Sequence, residues 1–233
     1  MIKLIPNTIT CLNLFSGCLA CVMALRFDNF TAAFWLIVAA AVFDFCDGFA
    51  ARGLKAFSPI GADLDSLADV IGFGLAPGAM IYSYLNAILN GNPLAFAGFI
   101  LPVFAALRLA KFNVDTRQTT SFLGLPVPAS ALFWASLIPV IRPYSEAFPV
   151  LCSVVILVLM LAFCGLMVSE IPMFSLKFKN FRWKDNQKPF LLITISAAYI
   201  LIFAGIGKIL LSLSFIILTY ILMSVIVKPE AEK

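Results

Sequence analysis

The chain has 233 residues, 62% apolar and 12% charged, with a net charge of +4 and a mean hydropathy of +1.04. Soluble domains are about half apolar and about a quarter charged, so this composition excludes a soluble enzyme, a disordered protein and a nucleic-acid-binding domain. A hydrocarbon core of about 30 Å takes about 20 apolar residues per helix, which leaves room for about eight spans and short loops. The expectation is one all-α polytopic membrane domain over residues 1–233.

Eight hydrophobic segments follow in chain order, over residues 9–25, 30–51, 61–89, 93–112, 127–141, 147–169, 188–205 and 208–227. The first follows Lys3, but Pro6, Asn7, Thr8 and Thr10 interrupt its start and a cleavage pattern is poor. It therefore reads as a retained helix rather than a signal peptide. Cys18 and Cys21 form a C-x-x-C inside it. With no second pair and no histidine in the chain, these thiols read as small packing groups. The lack of histidine also removes Ser-His-Asp, Cys-His and His-zinc chemistry. In the third segment Gly72, Ala76 and Gly78 suit close helix packing.

Lys and Arg divide unevenly between the two sides of such a bundle. Only Arg26, Arg142 and Lys208 fall on one side; the other 13 of the 16 fall opposite. The positive-inside rule makes the rich side cytoplasmic and places both termini there. The segment from Lys177 to Lys188, with Phe178, Phe181 and Trp183, is the clearest cytoplasmic loop. Its composition suits an anionic headgroup surface, and equally a plain topology signal.

Twelve acids are present, and five cluster within apolar segments: Asp44, Asp47, Asp63, Asp65 and Asp69. Charged groups in a span are costly and mark function by default. At about 100° per residue, Asp44 and Asp47 share a face, as do Asp65 and Asp69, while Asp63 points elsewhere. The short connection containing Pro59 can fold the second and third segments into an antiparallel pair whose acid faces meet. Four carboxylates in an apolar setting need cations, and an all-oxygen set favours Mg²⁺, Mn²⁺ or Ca²⁺. Two divalent ions would balance them, an arrangement suited to phosphoryl chemistry, with Gly48 allowing close approach and Arg52 neutralising a phosphate. A proton or sodium relay in a transporter explains the acids alone equally well.

The spacing Asp44-x-x-Asp47-Gly48-x-x-Ala51-Arg52, eight residues, then Gly61-x-x-x-Asp65-x-x-x-Asp69 matches the signature of the CDP-alcohol phosphotransferases without a mismatch. Further segments resemble the phosphatidylserine synthase branch of that family. They are Pro6-Asn7-x-x-Thr10-x-x-Asn13-Leu14-x-x-Gly17, Phe73-Gly74-x-Ala76-Pro77, Arg108-Leu109-Ala110-Lys111-Phe112-Asn113 and Phe122-x-Gly124-Leu125-Pro126-x-Pro128-Ala129. Lys111 stands where the branch has Arg, keeping the charge but losing a bidentate fork. The resemblance covers about the first 130 residues; 131–233 are generically hydrophobic.

The resemblance implies an inner-membrane enzyme, with its site on the cytoplasmic side, that moves a phosphatidyl group from CDP-diacylglycerol to L-serine and releases CMP. It implies two divalent cations on Asp44, Asp47, Asp65 and Asp69, with Asp69 also the proton acceptor. It places the CDP-linked lipid on Asn7, Thr8, Ile9, Thr10, Gly48, Arg52 and Ser58, and implies a homodimer. Arg108 is the best candidate for the serine carboxylate, with Lys111 and Asn113 beside it. Glycerol 3-phosphate or inositol phosphate as acceptor would need an additional basic cluster, and a transporter would show a repeat or paired broken helices.

The charge division generates a first prediction. In a background lacking the native cysteines, Asn90→Cys should react with an impermeant thiol reagent from outside intact cells, and Trp183→Cys only after permeabilisation. Labelling of both from one side, or the reverse pattern, contradicts the topology.

Overall fold

In hydrocarbon a chain must satisfy its backbone N–H and C=O groups within the segment, and each of the eight apolar segments is helical. The structure, a computed structural model, describes residues 4–115, 122–174 and 186–226. The basic stretch that includes Lys177, Phe178, Phe181 and Trp183 lies outside the described residues.

Helix α1 (Leu4–Phe27) and α2 (Phe30–Gly53) are joined by a two-residue turn. Asp28 adopts a positive φ there, and the Asn29 side chain caps α2 by accepting the Ala32 N–H at 3.0 Å. α1 begins five residues before the expected residue 9. Pro6 sits in the first turn, where no intrahelical donor is needed. Thr8 and Thr10 donate back to the carbonyls of Leu4 and Pro6 at 2.8 and 3.0 Å, so these polar residues are absorbed rather than interrupting.

The third segment is one 30-residue span in three parts: α3 (Pro59–Asp69), a π-helical turn (Val70–Leu75) and α4 (Ala76–Ile88). A 3₁₀ stretch (Pro93–Phe99) leads into α5 (Ile100–Val114). Helix α6 (Val127–Ile141) continues into a 3₁₀ turn (Arg142–Ala147), followed by α7 (Pro149–Val168), α8 (Gln187–Gly205) and α9 (Ile209–Ile226). Strands β1 (Phe122–Leu123) and β2 (Pro172–Met173) pair antiparallel.

Among the described residues, seven helical spans are long and apolar enough to cross a membrane. The eighth, α6, has 15 residues and is about 22 Å long. It packs against α2, α4 and α9, and Trp134, Ser136 and Ile138 on it are fully buried. It is therefore an interior helix. Phe133 stacks on Phe163 of α7 with ring centroids 4.3 Å apart, and the Ser136 and Ser214 hydroxyls, 2.6 Å apart, tie α6 to α9.

The Gly124 segment clasps the end of α7. Gly124 has φ +75° and lies where a Cβ would come within 2.5 Å of the Met167 carbonyl. Its N–H donates to the Ile171 carbonyl, and the Leu125 N–H to Leu166, both at 2.9 Å, which satisfies a carbonyl left free at the helix terminus.

α1 lies against the π turn backbone to backbone. A Cβ on Gly17 would sit 2.7 Å from the Gly72 Cα. Gly17→Ala should therefore destabilise the protein by about 1–3 kcal/mol, the usual scale of overpacking. Gly165→Ala, where an added Cβ meets nothing within 4 Å, is the matched control. Thermal unfolding in detergent should show a clear loss for the first and little change for the second.

Candidate active site

Three of the four paired acids come together, with Asp69 outside the closest group. One carboxylate oxygen from each of Asp44, Asp47 and Asp65 lies within 4.8 Å of the others. α1 packs against α2, α3 and the π turn, and so holds the two acid-bearing helices beside each other. Ser58 starts α3 by accepting the Gly61 N–H at 3.0 Å, with Pro59 in the first turn. Asp69 follows one turn after Asp65, and its carboxylate accepts the Asn13 amide at 3.3 Å. The π turn begins at Val70, so Asp65 and Asp69 keep α-helical spacing and the change of register falls behind them. Asp47 and Asp69 are buried, whereas Asp63 is exposed and stands outside the group.

The donor chemistry suits a hard cation. All the ligand atoms are oxygens, and Asp47 Oδ2 and Asp65 Oδ1 are buried without a hydrogen-bond partner. Buried carboxylate oxygens are costly unless paired, hydrogen-bonded or coordinated, and a divalent ion would satisfy both. Asp44, Asp47 and Asp65 could hold a metal ion.

Around the acids the other expected residues separate. The Arg52 guanidinium folds back over Gly48, with Nη1 3.4 Å from where a Gly48 Cβ would stand, on an exposed rim. Asn7 Oδ1 and Ser58 Oγ both lie 3.0 Å from the Cβ position of Gly61, so α1 and the start of α3 converge there. Thr10 is buried beside Asp47. Ile9 is half-buried, and Thr8 is exposed with its hydroxyl committed to Leu4.

The three residues grouped as an acceptor pocket point to different partners. Lys111 pairs with Glu170 at 3.6 Å and donates to the Val168 carbonyl at 3.4 Å, bracing α5 against the end of α7. Asn113 donates to Ser66 on α3 at 2.9 Å. Arg108 is 7% exposed, its guanidinium 4.8 Å from the Phe112 ring centroid and its Nε buried without a partner. It senses the charge of Asp69 yet forms no ion pair among the described residues.

One residue that carried no assigned role reaches the site. Asn13 is fully buried and orients Asp69, and its place in the Asn7-to-Gly17 motif was the available signal.

The CDP-alcohol phosphatidyltransferase family model matches residues 3–166. The chain is 37% identical over 131 residues to a CDP-diacylglycerol–serine O-phosphatidyltransferase of Helicobacter pylori, covering 55% of this chain and 54% of that protein. It is 36% identical over 132 residues to the protein of that name in Bacillus subtilis, covering 55% and 71%. For the Methanocaldococcus jannaschii protein of that name it is 34% identical over 140 residues, covering 60% and 63%. The chain thus spans about half the length of the Helicobacter pylori relative it matches. With the acid cluster formed by the motif residues, and a family match that takes in α1 to most of α7, the chain belongs to the CDP-alcohol phosphatidyltransferase family.

Proposed function

We propose that this chain transfers the phosphatidyl group of CDP-diacylglycerol to the hydroxyl of L-serine and releases CMP, at the cytoplasmic face of the inner membrane. Serine as acceptor is carried by Arg108, a buried guanidinium with no acidic partner within ion-pair distance among the described residues, and within range of the charge of the proposed base Asp69. A buried unpaired cation costs several kcal/mol, and an acceptor carboxylate would offset that. A guanidinium fork matches a carboxylate bidentately. An acceptor bearing a phosphate would need further cations, and Lys111 is engaged with Glu170. The names of the relatives point the same way, and family membership leaves an ion relay without support.

In this reading Asp44, Asp47, Asp65 and Asp69 hold two divalent cations. When bound, these supply charge neutralisation of the diphosphate and stabilise the departing CMP. Arg52, above Gly48, adds positive charge at the phosphates, while Asn7, Thr10 and Ser58 line the side where α1 meets α3. The serine hydroxyl attacks the phosphorus that carries diacylglycerol, the bond from that phosphorus to the CMP oxygen breaks, and the hydroxyl proton passes to Asp69. Asn13 fixes one oxygen of Asp69 and leaves the other for that proton. Arg108 holds the serine so that its hydroxyl lies toward Asp69.

The acids should respond unequally. Asp63→Asn should retain most turnover, and Asp44→Asn or Asp65→Asn should lose nearly all. Asp69→Asn should bind CDP-diacylglycerol with near-normal affinity while kcat falls by about 10²-fold or more, the scale of general-base loss. Turnover within a few-fold of wild type would remove Asp69 as the base, and an Asp63→Asn defect as deep as the others would contradict the face assignment.

The acceptor is tested with purified protein, CDP-diacylglycerol and serine, glycerol 3-phosphate or inositol phosphate in parallel. CMP release should require serine, and Arg108→Lys should raise the KM for serine about tenfold while leaving that for CDP-diacylglycerol within twofold. Turnover with another acceptor, or an unchanged serine KM, contradicts the assignment.

A further inference from the structure

At the span ends far from the acid cluster, three connections meet around two cavities: the α1–α2 turn, the exit of α6 and the α8–α9 turn. Thr31, in the first turn of α2, is separated from Asp47 by about 24 Å of helix. The cavities, of about 330 and 280 Å³, adjoin, with Thr31, Pro139 and Pro143 lining both.

Their charges are segregated. Asp28 and Arg142 line the first cavity, and Arg142 meets two exposed acids, Asp28 at 3.6 Å and Glu146 at 3.4 Å. One guanidinium against two carboxylates leaves that end negative by one charge. Tyr144 and Lys208 line the second cavity. The Lys208 ammonium lies 4.4 Å from the Tyr144 ring centroid and forms no ion pair among the described residues, so this end is positive by one charge. Beyond Lys208 the wall turns apolar at Ile209 and Leu210, and Ile206 and Ile209 are 59% and 53% exposed beside it. A matching ligand carries an anion and a cation a few bonds apart and an apolar tail. Inorganic phosphate offers only the first, and diacylglycerol only the last.

We infer that these cavities seat the headgroup of a phospholipid bearing an ammonium group, with its phosphodiester on Lys208, its ammonium toward Asp28 and its acyl chains along the exposed side of α9. Helix α8 packs chiefly against α9, so the lipid fastens the α8–α9 hairpin to α2 and α6. The site is independent of the acceptor assignment and takes no part in the transfer.

The test uses the full-length protein in detergent, stripped of copurified lipid. Native mass spectrometry reads lipid adducts, and thermal unfolding is followed with phosphatidylethanolamine, phosphatidylglycerol, diacylglycerol or inorganic phosphate added. The wild type should take up one phosphatidylethanolamine about fivefold more readily than phosphatidylglycerol and melt about 5 °C higher near saturation. Lys208→Gln, which breaks no ion pair among the described residues, should weaken that uptake about tenfold. Asp28→Asn, at a positive φ that asparagine tolerates, should keep phospholipid uptake and lose the preference over phosphatidylglycerol. Arg26→Gln, an exposed cation near the same turn that lines neither cavity, should behave as wild type. Equal uptake of phosphatidylglycerol by the wild type, the same thermal gain from inorganic phosphate or diacylglycerol, or undiminished uptake by Lys208→Gln would overturn the site. Should Lys208→Gln prove unstable, Thr31→Leu, which adds bulk to the shared wall and leaves every charge in place, should show the same loss, and its failure to do so would count against the proposal.

Discussion

Like charges held together in a poorly hydrated bundle are the main tension in this protein. Carboxylate oxygens of Asp44, Asp47 and Asp65 lie within 4.8 Å of one another. At an effective dielectric of about 20, each ionised pair at that distance repels by about 3 kcal/mol. Helix packing must hold them against this. α1 does so by lying against α2, α3 and the π turn, and it approaches closely because Gly17 meets Gly72 with no side chain between them. The same approach places Asn13 on Asp69. Packing of small residues and positioning of the acids are therefore one arrangement. The repulsion is relieved when a divalent cation sits among the oxygens.

The second tension is the opposite one, a buried cation that forms no ion pair among the described residues. Arg108 stands near Asp69 but is not paired with it. In the proposed reaction an Asp69 engaged in a tight ion pair would be a poor proton acceptor, so keeping the two apart would preserve both proposed roles. Phe112 covers one face of the guanidinium without neutralising its charge.

The helical segments were legible because hydrocarbon imposes one solution on a long apolar run. The acid faces were legible too, since Asp44/Asp47 and Asp65/Asp69 each lie within one helix, and local periodicity fixes what shares a face. The exclusion of Asp63 followed from the same geometry. What local periodicity cannot carry is a contact between distant segments. The Asn13 contact with Asp69 depends on how helices pack, and nothing in either residue announces the other. Lys111 shows the reverse case: one turn after Arg108 on the same face of α5, it suggested a shared pocket, but its ammonium is taken up by Glu170 and the Val168 carbonyl. The π turn at Val70 was likewise hidden, because no residue type specifies it. The short, interior α6 is as apolar as the outer spans, so composition alone did not separate it from them.

Whether the carboxylates come together to hold metal can be measured without turnover. Purified protein titrated with Mn²⁺ while electron paramagnetic resonance follows the free ion should show saturable uptake that is competed by Mg²⁺. Asp47→Asn should weaken that uptake severely, and Asp63→Asn should leave it intact. Absence of saturable uptake by the wild-type protein, or equal uptake by Asp47→Asn, would contradict the reading of these acids as a metal centre.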